Sequence, residues 1–265
     1  MGAYEDKIVL SAQTFLQRAY IASSGRHKDV TPTWAAVLNA NALSQPYNVA
    51  AFGNYAGTET VTPGFFTSTD AITDITDWVL VELRDAVTPA TIVTRRTAFI
   101  REDAMIVDLD DSSPVSFKGY SAGNYFIAIR HRNHMGIRTK ETKLIDGSAF
   151  SPSIYNFSSG KAQAYQDGAI SANAAMASLT GAVFAMWGGN ANNSNTNVRF
   201  TGLNNDAASI LAALGGVQGA TLTPVYNNAD LNLDGSVKYT GLNNDAAFLL
   251  SVLNTIQSAV YSQHL

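Results

Sequence analysis

The chain has 265 residues, 46% hydrophobic and only 14% charged, with a formal net charge of −4. That is enough apolar material for one large or two small cores, and the acidic balance excludes the basic footprint of a nucleic-acid-binding protein. There is no cysteine, which removes disulfides and thiol nucleophiles, and no apolar run reaches the roughly 18 residues of a membrane-crossing helix.

The opening residues, Met1 to Lys7, lack the pattern of a secretion signal. The low charge and the wealth of Asn, Thr, Ser, Ala and Gly favour a secreted or cell-surface protein, with any export signal lying outside this stretch. Residues 7–17 alternate enough to predict a strand. Residues 23–60 lack a clear period and predict a long connection, of the kind that is usually functional. Trp34 and Tyr47 fall in it, as glycan- or partner-binding aromatics if exposed and as core residues if not. Residues 1–60 are thus expected to pack as strand and loop on the domain that follows.

From residue 61 strand signals dominate. Trp78, Leu80, Glu82 and Arg84 alternate with Val79, Val81 and Leu83. Further strand-like runs follow at 91–100, 105–109, 113–117, 123–131 and 137–140, separated by turn residues. This spacing predicts an antiparallel β-sandwich over residues 61–186, Ig-like or fibronectin-like. The carboxylates Glu102, Asp103, Asp108, Asp110 and Asp111 lie between strand-like runs. They read as a solvated turn more than as a pair for glycoside chemistry. His131 and His134 would point to opposite faces of a continuous strand, which argues against a metal site. Arg84, Arg95, Arg96, Arg130, Arg132 and Arg138 predict a basic stripe across the sheet. There is no nucleophile elbow and no phosphate loop, so an enzyme is not expected.

Residues 187–265 contain one unit written twice. Thr-Gly-Leu-Asn-Asn-Asp-Ala-Ala occurs at 201–208 and again at 240–247, an offset of 39 residues. Each copy continues into an apolar run that predicts a helix: Ala207 to Leu214, stopped by Gly215-Gly216, and a second one after Asp245. The second copy opens Asp230-Leu-Asn232-Leu-Asp234-Gly235-Ser236-Val237. Oxygen-bearing side chains at alternate positions, followed by a turn-permitting glycine, form the first half of a calcium loop. Asp230, Asn232, Asp234 and Ser236 are the candidate Ca²⁺ ligands. The acid that usually closes such a loop is replaced by Gly241, which leaves Asp245 as either the closing ligand or a helix N-cap. In the first copy Asn190, Asn192, Ser194 and Asp206 hold the corresponding places with less charge. That loop is expected to bind metal weakly or not at all.

Together, Asp77-Trp-Val-Leu-Val-Glu-Leu-Arg-Asp, Ser113-Pro-Val-Ser-Phe, Ala122-Gly-Asn-Tyr, Arg130-His-Arg-Asn-His134, Val237-Lys-Tyr-Thr-Gly and Asn243-Asn-Asp resemble the C-terminal modules of large secreted surface proteins of Bacteroidota. The resemblance implies a mainly β protein, a sandwich followed by a small dockerin-like pair of loop-helix repeats, extracellular and calcium-bound, with no enzymatic role. The resulting expectation is a structural subunit or module of a self-assembling surface structure (filament, sheath or adhesin), a homo-oligomer or polymer. The alternative is a module that binds a glycan or docks a partner protein.

Overall fold

The computed structural model describes residues 6–11, 30–69, 71–145, 154–179, 183–192 and 196–265. Nine strands form one sheet: β1 (Asp6–Ser11), β2 (Ile75–Arg84), β3 (Ile92–Arg101), β4 (Met105–Val107), β5 (Val115–Phe117), β6 (Gly123–His131), β7 (His134–Arg138), β8 (Lys143–Ile145) and β9 (Ile154–Asn156). Their order is β5-β1-β4-β3-β2-β6-β7, with β8 also paired to β6 and β9 to β1. The protein is mainly β, and the sheet curls into a half-barrel. Its pairs are antiparallel except β1 with β9.

β2 is buried along its whole length because it lies between the long strands β3 and β6 and both of its faces are covered. On one face Trp78 packs on Phe99 at 4.3 Å between ring centres, and Phe65 and Phe66 close over Phe99. The lid on this face is α1 (Pro32–Asn41) and the segment after it. Thr31 caps the helix by accepting from the Trp34 amide, and Pro32 occupies the first turn, where its missing N–H costs nothing. Trp34 Nε1 donates to Thr76 O, Trp78 Nε1 donates to Ala42 O, and Tyr47 Oη donates to Trp78 O. Residues 32–41 therefore form a helix where the sequence suggests only connection. The cap and proline that start it are local signals, but its burial is set by partners on β2, Thr76 and Trp78, more than 30 residues away.

The described residues hold one large sheet where the strand spacing leads one to expect two facing sheets. Two-stranded ribbons complete the β content: β10 (Ala177–Ser178) with β11 (Phe184–Ala185), β12 (Asn197–Arg199) with β15 (Val260–Ser262), and β13 (Thr221–Leu222) with β14 (Val237–Lys238). The helices α2 (Asp206–Ala213) and α3 (Asp245–Val252) belong to the duplicated unit. A single set of buried apolar side chains runs from Val30 through β2, β3 and β6 to Leu249 and Tyr261. The expected segments 1–60, 61–186 and 187–265 thus share one core.

Candidate metal centre

The duplicated unit folds as an internal two-fold pair. Asn205 and Asn244 are the helix N-caps, accepting from Ala208 N and Ala247 N. The aspartate that follows each cap is left for another task. Asp206 accepts from Asn192 N and Arg199 N, both at 2.8 Å. Asp245 accepts from Leu231 N at 2.7 Å and Lys238 N at 2.8 Å. Each carboxylate is fully buried and bolts its helix to both ends of its own loop. Asp245 is therefore not the N-cap that its position before an apolar run suggests. Both of its oxygens already serve backbone donors, so as a closing ligand it has only its remaining lone pairs to offer.

The two units are also interleaved. β12 of the first copy pairs with β15, which follows the second helix; β14 of the second copy pairs with β13, which follows the first. Thr201 Oγ1 donates to Gln257 O and Thr240 Oγ1 to Gln218 O, each at 3.0 Å. Neither copy is complete without strands of the other. After the helices, Gly215 and Gly216 have positive φ, and Asn254 and Thr255 take the same conformation in the second copy. A β-branched residue in that region is strained. Thr255→Gly is expected to raise stability by about 0.5–1 kcal/mol, after subtracting the entropy glycine brings to the unfolded chain. Thermal unfolding checks it, through a rise in Tm of about 1–3 °C.

Within the second loop, Asp230 Oδ1 accepts from Asp234 N at 3.1 Å and Oδ2 from Gly235 N at 2.9 Å. Asn232 Oδ1 also accepts from Asp234 N, and Asp234 Oδ1 accepts from Ser236 N. Gly235 has φ +81, and a Cβ there would stand 2.9 Å from Val37 of α1. Glycine is needed both for the turn and for the approach of the loop to that helix. Burial, then the charges of Asp230 and Asp234, push the Asp245 carboxyl up to about 8. Burial alone raises Asp206 to about 7 against its two amide donors.

The donors fit a hard cation by type, since carboxylate and amide oxygens are what Ca²⁺ takes. As they lie, no three acidic or histidine side chains among the described residues gather into a metal-holding group. The fit therefore rests on Asp230, Asn232 and Asp234 together with main-chain oxygens. In the first loop Asn190 is buried and Asn192 Nδ2 donates to Asn204 O, as Asn232 Nδ2 does to Asn243 O. Ser194 lies outside the described residues.

A buried polar joint fastens this loop to the sheet at the β6–β7 turn. Asn133 Nδ2 donates to Asp230 O at 2.8 Å, and Arg132 Nη1 donates to Asn227 O. Arg132 Nε donates to Asp77 Oδ2 at 3.1 Å, Tyr226 Oη donates to Asp77 Oδ1 at 2.6 Å, and the Arg132 guanidinium lies 4.2 Å from the Tyr226 ring centre. His131 and His134 face each other across the hairpin, their Nδ1 atoms 3.0 Å apart, because a turn intervenes and no continuous strand separates them. Asn133 N donates to His131 Nδ1, which leaves His131 Nε2–H toward Asp77 Oδ2 at 3.1 Å. Trp34 and Tyr47 are fully buried beside this joint, so neither offers a face to a glycan; their aromatic content went into the core.

Acid and base act oppositely on these groups. Burial holds both histidines below the usual imidazole range, and for His134 the charges of His131 and Arg132 add to it. The folded state keeps them neutral while the unfolded chain protonates below about pH 6.5, so their contribution is intact above that pH and lost below it. Asp206 and Asp245 are raised, so the folded state keeps protons that the unfolded chain releases above about pH 4. Their contribution is greatest in acid and lost as pH rises toward 8. In chelator, urea unfolding is expected to be nearly flat between about pH 4.5 and 6.5, where the two sets offset, and to weaken from there to pH 8. A stability that climbs between pH 6.5 and 8 contradicts this assignment.

Comparison of the chain with family models, with curated proteins and with solved structures gives no match.

Proposed function

We propose that this is a non-enzymatic, extracellular structural protein, a subunit or module of a self-assembling surface structure, with Ca²⁺ at the Asp230 loop bracing its C-terminal repeat. The half-barrel and the interleaved repeat are taken as variants of the Ig-like module and dockerin-like pair that the sequence resembles. The observation that carries the reading is the place of β1. This first strand lies inside the sheet, where Leu10 pairs with Ile106 on one side and with Tyr155 on the other. A strand held on both sides by main-chain pairing to the rest of the sheet can be supplied equally by a neighbouring copy. Calcium would neutralise part of the mutual repulsion of Asp230, Asp234 and Asp245 and stiffen the loop that Asn133 ties to the sheet.

The test removes residues 1–11. The full chain is expected to form multimers, and the shortened chain to stay monomeric and bind a peptide of sequence Asp6–Ser11. A shortened chain that assembles to the same size overturns the strand-exchange reading. If the shortened chain does not fold, Leu10→Cys with Ile106→Cys in the full chain gives the answer: crosslinked ladders support exchange, and crosslinked monomers alone contradict it.

A second reading, docking of a partner protein through the repeat, is favoured by Leu203 and Leu242, 81% and 86% exposed at equivalent positions, with Val217 and Ile256 also exposed in the repeat. Leu203→Asp with Leu242→Asp would abolish such binding while leaving self-assembly through β1 intact.

A further inference from the structure

One face of the sheet carries a compact group of arginines. Across β3, β2, β6 and β7 the register places Arg95, Glu82, Ala128 and Arg138 in one row. Arg84 stands two residues along β2 from Glu82, and Arg130 two residues along β6 from Ala128, so all four arginines share a face. One carboxylate serves them. Glu82 Oε2 accepts from Arg84 Nε at 3.0 Å and Nη2 at 2.6 Å, while Arg130 Nη1 is 3.8 Å from Glu82 Oε1. Neither Arg95 nor Arg138 has an ion pair among the described residues, in a chain whose net charge is −4.

The guanidinium groups are held in place by other means. Arg84 donates to Pro89 O, Arg95 to Phe52 O, Arg130 to Ala51 O at 3.0 Å and Arg138 to Thr139 O at 3.3 Å. Arg130 lies 4.8 Å from the Phe52 ring centre, and Arg138 lies 3.6 Å from that of Tyr165 and 4.8 Å from that of Phe126. Ala128 contributes only a methyl group between them. The Arg138 Nε–H is buried with no acceptor among the described residues, and Glu82 Oε1 is buried without a hydrogen bond. Burial, and then repulsion from Arg84 and Arg95 set against the pull of Glu82, lowers Arg130 from its ordinary value. Arg84 likewise acts on Arg138 after burial. Solvent reaches Arg95 and Arg130, which are half-buried. Four like charges fixed on main-chain carbonyls and rings, of which only Arg84 gives its fork to Glu82, form a preorganised receptor for an oxygen anion.

We propose that this arginine face binds an oxyanion, a sulfate, phosphate or carboxylate group, either as the free ion or carried on an acidic saccharide. The anion would take the donors that Glu82 does not serve and offset the crowding of guanidinium charge. The site is independent of the β1 seam and of the Asp230 loop.

The test titrates inorganic sulfate into the full chain at ionic strength held constant with chloride, following the Nε–H resonances of the arginines and the unfolding temperature. Saturable shifts of Arg95, Arg130 and Arg138 with a millimolar midpoint, and a rise in Tm that chloride does not give, are expected. Arg95→Gln and Arg138→Gln should each weaken the midpoint roughly tenfold. A sulfated disaccharide that binds more tightly than free sulfate places the natural source on a glycan, and equal binding places it on the free ion. Shifts that follow ionic strength alone overturn the proposal. So does unchanged binding in folded Arg95→Gln and Arg138→Gln variants. If those variants fail to fold, the resonances of the unmodified protein decide it.

Discussion

Replacing Asp77 by Ala is expected to destabilise the protein by about 3–5 kcal/mol, because it strands a buried cation. Burial works against ionisation of Asp77, but Arg132 and His131, with hydrogen bonds from His131 and Tyr226, hold its carboxyl well below the usual range. Without it Arg132 keeps its carbonyl bond to Asn227 and its place over Tyr226 but loses the carboxylate that faces its Nε at 3.1 Å. The damage should spread to the repeat, because the same turn holds Asp230 through Asn133. Urea unfolding at pH 7 measures the loss. Hydrogen exchange at Asp234 N and Gly235 N shows whether the loop loosens with the sheet. A loss under 1 kcal/mol, or a loop that stays protected, would mean that the joint does not couple the two.

The second large effect belongs to the aspartate bolts. Asp245→Ala leaves the amides of Leu231 and Lys238 without their acceptor, and each buried unsatisfied donor costs about 1–3 kcal/mol. A loss of about 4 kcal/mol is expected from the pair, and Asp206→Ala should cost a similar amount at Asn192 and Arg199. Because each copy completes the ribbon of the other, the two losses should not be additive. Chemical denaturation of the single and double variants checks this. Additive losses would mean that the copies fold as independent units.

The long strands were legible from the sequence because their faces alternate against neighbours that are near in the chain, as Trp78 to Arg84 do. The helices of the duplicated unit were legible from the apolar runs after Asn-Asn-Asp. The division of labour within that triplet was not. Asn204 and Asn243 turn the chain at positive φ, the next Asn caps the helix, and the Asp reaches back into the loop. An aspartate before an apolar run looks like a cap until its partners, 7 and 14 residues upstream, are placed. The exchange of strands between copies and the Asp77–Arg132 joint, 55 residues apart in sequence, depend on tertiary pairing that no local pattern encodes. Trp34 and Tyr47 were ambiguous for the same reason, since an aromatic in an aperiodic stretch is a core residue only if a distant strand receives it. Of the six arginines read as one stripe only Arg84, Arg95, Arg130 and Arg138 share a face; Arg96 turns to Asp108 and Arg132 to Asp77, and the focus of the four on Glu82 needed the register of four strands.

The most direct test of the account is particle size, by light scattering and negative-stain microscopy, with millimolar calcium and then with chelator. Multimers or filaments that loosen when calcium is removed are the predicted result, because the Asp230 loop is tied to the sheet that β1 completes. A monomer at every concentration, indifferent to calcium, would contradict both the assembly and the metal.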